Sequence, residues 1–90
     1  MNSTTIYYSQ FERQVKVILM FNQSEVLDEN GELSFIKLWD RVWKNIGKSP
    51  EGYHIEKVAL WIPRAVATIM NNAKYEPSSA QMESLKKLNK

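Results

Sequence analysis

Ser34-Phe35-Ile36-Lys37-Leu38-Trp39-Asp40-Arg41-Val42-Trp43-Lys44-Asn45-Ile46-Gly47 is the stretch that sets the fold class. At about 100° per residue, Phe35, Ile36, Leu38, Trp39, Val42, Trp43 and Ile46 gather on one arc. Lys37, Asp40, Arg41 and Lys44 fill the opposite side, with Asp40 and Lys44 at the i,i+4 spacing of a helical ion pair. Ser34 offers a capping hydroxyl at the start, and Gly47 can end the helix in the left-handed region. The pattern predicts an amphipathic helix that contributes one face to a core.

Upstream, Asp28-Glu29-Asn30-Gly31 reads as a turn. Before it, Ser9-Gln10-Phe11-Glu12 has the Ser-x-x-Glu spacing of a capping box. Phe11, Val15, Ile18 and Leu19 follow on one helical face. Residues 15–21 also suit a strand, because Val-x-Val-Ile is strand vocabulary, and the helical reading is taken here. Downstream, Ser49-Pro50-Glu51 has the order of a helix start, although Gly52 weakens it. Residues 53–61 are ambiguous between helix and extended chain. Pro63 predicts a break near Ile62, then a short helix through Val66, Ile69 and Met70. Pro77 and the Ser78-x-x-Gln81 pair launch a last helix carrying Met82, Leu85 and Leu88. The expected architecture is all-α, a single domain over residues 1–90, built as a bundle of four or five short helices. Its C-terminal half has a helix-turn-helix-like order.

Composition narrows the function. At 90 residues, the chain buries only about 60–65% of its unfolded surface, so its core is small. There is no cysteine, which excludes disulfides, thiol nucleophiles and cysteine-based zinc sites. His54 is the single histidine and has no Ser or Asp pattern around it for nucleophilic catalysis. Gly47-Lys48-Ser49 ends like a phosphate loop, but Val42 stands where the first glycine must be. Asp28-x-Asn30-Gly31 resembles the middle of a calcium loop, but Lys37 occupies the position of the closing glutamate. No metal, cofactor or catalytic residue is expected, and the chain is read as a non-enzymatic protein. The first five residues show neither a basic nor an apolar signal region, and the longest apolar run, residues 17–21, is far short of a membrane span. The expected location is the cytoplasm.

Two surfaces stand out. On the first helix, Gln10, Gln14, Val17 and Phe21 project away from the predicted core face, and none is charged. An uncharged strip containing Phe and Val suits a protein partner or a homodimer. The alternative is a central helix buried on both faces. The second surface is basic. Residues 1–36 hold two Lys/Arg against five Asp/Glu, a net of −3, whereas residues 37–90 hold ten against five, a net of +5. In the segment 37–75, Lys44, Lys48, Arg64 and Lys74 are candidates for duplex DNA phosphates. Ala65, Ala67 and Thr68 offer little base readout. A plain solvated basic face is the other explanation.

Two families resemble parts of the chain. Val17-Ile18-Leu19-Met20-Phe21, Glu25-Val26, Phe35-Ile36, Asn45-Ile46-Gly47 and Glu51-Gly52 are similar to the AsiA-type anti-sigma proteins of phages. These matches cover about the middle third of the chain, in conservative residues. The resemblance implies a helical protein of this size whose first helix is the face that dimerises and grips the carboxy-terminal region of the primary sigma factor. Val17, Ile18 and Phe21 would be the contacts. Gln10, Gln14 and Met20 depart from the family's contact residues, and Trp61-Ile62-Pro63 has no counterpart there. Trp61-x-Pro63-x-x-Val66-x-x-Ile69-Met70-x-Asn72-x-x-Tyr75 is similar to a helix signature in the DNA-binding part of large serine recombinases. With Ile62 in place of the usual Ser/Thr and no catalytic domain, it implies a DNA-binding module alone. The expectations are an anti-sigma-like transcription regulator of phage type, a small DNA-binding protein, or an inhibitor of another host enzyme.

Overall fold

A computed structural model describes residues 7–47 and 58–88. Within them lie α1 (Tyr8–Phe21), a 3-10 turn (Gln23–Val26), α2 (Phe35–Ile46), α3 (Trp61–Ile69) and α4 (Ser79–Leu88). The all-α expectation holds, and the single β-type pairing among the described residues is an isolated antiparallel bridge between Leu27 and Leu33. Lys48, the Ser49-Pro50-Glu51 start, Gly52 and His54 lie outside the described residues. So does most of the connector on which a helix-turn-helix comparison depends.

The predicted arc of α2 packs the bundle. Phe35, Leu38, Trp39, Val42 and Trp43 are buried, and Ile46 packs against them. Ile36, expected on the same arc, is 37% exposed instead. It sits at the edge of the arc, about 100° around the helix from Phe35. Ser34 Oγ accepts from the Lys37 N–H at 3.3 Å, and Gly47 closes the helix at φ +80°. That φ costs glycine little and an L-side chain about 1–2 kcal/mol.

α1 lies against both α2 and α3, and α4 packs on α2. Residues 15–21 are helical, so the strand alternative fails. The helix starts before the expected Ser9 cap. Its N-cap is Tyr7, whose N–H donates to Gln10 Oε1 at 2.8 Å. Tertiary packing explains the longer helix: Tyr8 meets Trp61 edge-on at 5.5 Å between ring centroids, and Arg64 lies 4.0 Å over its ring. The break expected near Ile62 falls just before Trp61. Ile62 is fully buried inside α3, and Pro63 sits in the first turn, where no helical partner for its missing N–H is required. α3 ends on Asn71 at φ +54°, with Asn72 N–H donating to the Ala67 carbonyl and Asn71 N–H to that of Thr68. This is a Schellman closure with asparagine in the left-handed position.

The predicted turn is present. Asp28 Oδ1 accepts from the backbone N–H groups of Asn30 and Glu32 at 2.8 and 2.9 Å. The Asp28 carboxylate thus ties the loop together. Among the described residues no three His, Cys, Asp or Glu side chains come together in a way that could hold a metal, and no helix is long and apolar enough to cross a membrane.

Candidate functional site

The uncharged strip of α1 divides in the structure. Phe21 is 74% exposed and Val17 37% exposed, as a contact face requires. Ile18 is 0% exposed and belongs to the core with Phe11 and Val15, so its assignment to a partner surface is corrected. One hundred degrees of helical rotation separates it from Val17, enough to turn it inward. Gln10 is exposed, but its carbonyl oxygen caps the helix, which gives it a structural duty the strip reading missed. Gln14 is half-buried. Met20, set aside in the sequence reading, is 61% exposed. With Val17 it completes an i, i+3, i+4 set that ends on Phe21. The face is therefore Val17, Met20 and Phe21 at the C-terminal end of α1.

The basic residues acquire separate neighbours. Arg41 pairs with Glu25 and also donates to Asn45 Oδ1. That pairing, with a second bond from Asn22, holds the Glu25 carboxyl below its usual range. Lys37 Nζ donates to the Leu27 carbonyl at 2.9 Å. The acidic front and basic back of the sequence thus meet across α2 and the 3-10 turn, and part of the charge asymmetry is used inside the fold. Lys44 shares a shallow depression with Glu25, Asp40 and Arg41. Arg64 is stacked on Tyr8, and Lys74 stands in the loop after α3, where its N–H donates to Asn72 Oδ1. Lys48 lies outside the described residues. The buried face of α3, with Ile62, Ala65 and Val66, is occupied by packing. On its exposed side the Thr68 hydroxyl donates back to the Arg64 carbonyl.

A second feature has no signal in the sequence. The C-terminal ends of α1 and α3, the loops before α2 and before α4, and the first turn of α4 border a groove of about 540 Å³. Leu19, Leu33, Val66, Ile69, Met70 and Tyr75 form its apolar walls. Gln81, only 7% exposed, is fixed at its floor. Its Nε2 donates to the Leu33 carbonyl at 2.9 Å, and its Oε1 accepts from the Ser78 N–H at 2.9 Å and the Tyr75 hydroxyl at 3.2 Å. Ser78 Oγ in turn accepts from the Gln81 N–H and donates to Glu32 Oε1 at 2.8 Å. The Ser78/Gln81 capping pair was legible from spacing. Its reach to Leu33 and Glu32, more than forty positions earlier in the chain, was not.

Burial, then the neighbouring Glu32 carboxylate, pushes the Tyr75 phenol above the ordinary value of 10.0. The folded state therefore favours the neutral phenol. Its contribution to stability is complete below about pH 10 and is lost as pH rises through the folded value. Urea unfolding between about pH 8 and 11 should show a smaller alkaline loss for Tyr75→Phe than for the natural chain. Equal slopes for the two proteins would remove Tyr75 as the source.

In comparisons with protein-family models, curated proteins and solved structures, nothing matches the chain.

Proposed function

We propose that the protein is a non-enzymatic regulator that binds a protein of the transcription machinery through the exposed end of α1, in the manner of an anti-sigma factor. The observation that carries this reading is Phe21, a large aromatic side chain left 74% exposed on a helix whose opposite face is packed into the core. Val17 and Met20 extend the same face, and aromatic anchors of this kind dominate interface energetics. The similarity of residues 17–21 to phage anti-sigma proteins supports the choice of partner. The mechanism is occlusion: the face covers a surface that the sigma factor needs for promoter contact.

A tagged chain should recover sigma factor or RNA polymerase from nuclease-treated bacterial lysate. Phe21→Ala should abolish that recovery with helicity unchanged, because an exposed residue shifts stability by only about 0.5 kcal/mol. Loss of the fold instead would place Phe21 in the core and end the interface reading. Recovery of an unrelated enzyme would keep the face and discard the anti-sigma assignment. If duplex DNA co-purifies before nuclease and is released steeply by salt, the basic segment carries the function instead.

A further inference from the structure

The groove beside α1 has properties that select an occupant. Its walls come from three helices and two loops, and Glu32 and Glu76 line it without any lysine or arginine. The polar groups at its floor are already paired with one another, Tyr75 with Gln81 and Ser78 with Glu32. An occupant therefore meets little demand for new hydrogen bonds. It needs apolar side chains for the walls and positive charge for the carboxylates. Phosphate-bearing partners are repelled by the same two glutamates.

The shape favours a helix over a small molecule. Small-ligand sites enclose most of their ligand, whereas this groove keeps apolar surface exposed. Met70, one of the residues lining it, is 55% exposed. Unbranched, polarisable methionines suit surfaces that adapt to an apolar helix. We propose that this groove seats a basic amphipathic helix of the partner protein, with apolar residues against Ile69, Met70 and Leu33 and a Lys or Arg facing Glu32 and Glu76. The inference rests on the partner-binding reading above and adds the chemistry of the bound segment.

The probe is a fluorescent amphipathic peptide of leucine and lysine, followed by anisotropy, with a leucine–glutamate peptide of the same pattern as control. The lysine peptide should bind about tenfold or more tightly than the control. That preference should vanish in Glu32→Gln/Glu76→Gln, which keeps an acceptor for Ser78. Met70→Lys should abolish binding, and Phe21→Ala should leave it intact. Equal binding of the two peptides, or binding indifferent to these groove variants, would overturn the proposal. An uncharged naphthylamine dye that binds the groove when neither peptide does would make it a small-molecule site and also overturn it.

Recovery from lysate separates the two readings. If Phe21→Ala abolishes recovery of the partner while Met70→Lys and the double glutamine variant leave it unchanged, the groove inference fails and the α1 interface stands. If Phe21→Ala changes nothing, the α1 interface fails. Loss of recovery in the groove variants as well as in Phe21→Ala is the result expected if both hold.

Discussion

Phe11→Ala is expected to destabilise the protein by about 3–5 kcal/mol, the range for deleting a fully buried aromatic side chain. Phe11 is 0% exposed and stands among three indoles, with ring centroids 5.6 Å from Trp61, 6.2 Å from Trp39 and 6.5 Å from Trp43. It is where α1, α2 and α3 meet, so no single helix can shift to fill the void. A domain of this length has about 5–13 kcal/mol of total stability, and the loss is a large part of it. Urea unfolding followed by tryptophan fluorescence gives the number directly, because the surrounding indoles report the core. Phe21→Ala, the same change ten residues along the same helix, should move the midpoint little. A loss below about 1 kcal/mol for Phe11→Ala would mean that the three helices close around the cavity.

Gln81→Leu should cost about 2–4 kcal/mol despite its similar size. Leucine satisfies the packing but leaves the Leu33 carbonyl and the Ser78 N–H without the partners that Gln81 provides. It also removes the acceptor of the Tyr75 hydroxyl. A half-buried network that loses its centre leaves several groups unpaired at once. The damage should be local. Hydrogen exchange should rise first in α4 and around Leu33, with α1 slower to open. Gln81→Glu should do nearly as badly at neutral pH, since a carboxylate accepts the two bonds but cannot donate to Leu33. Stability unchanged by Gln81→Leu would show that the link between α4 and the loop contributes nothing to the fold.

The contrast between Phe11 and Phe21 shows how far periodicity reaches. Both sit on one amphipathic helix, and the spacing of Phe11, Val15 and Ile18 was enough to place Phe11 inside. The family resemblance, by contrast, places Ile18 on the contact face. A rotation of about 100° from Val17 puts it in the core. Gln10 fits an uncharged strip by its spacing, but an uncharged polar residue near a helix start also suits a cap. Only the actual start at Tyr8 decides between those uses.

Local chemistry in the chain determined the α2 helix between Ser34 and Gly47, the Asp28 turn and the Ser78/Gln81 cap. Each depends on residues within a few positions of one another, where side-chain type and backbone preference are nearly sufficient. The long-range pairings were decided by tertiary structure. Tyr8 extends α1 because Trp61 and Arg64 cover it. Glu25 and Arg41 cancel charges that the two halves of the sequence keep apart. The groove exists because Leu19, Leu33, Ile69 and Tyr75 arrive from four separate segments. Such contacts depend on how whole helices pack, and helix packing is a property of complementary surfaces that no local window of sequence contains.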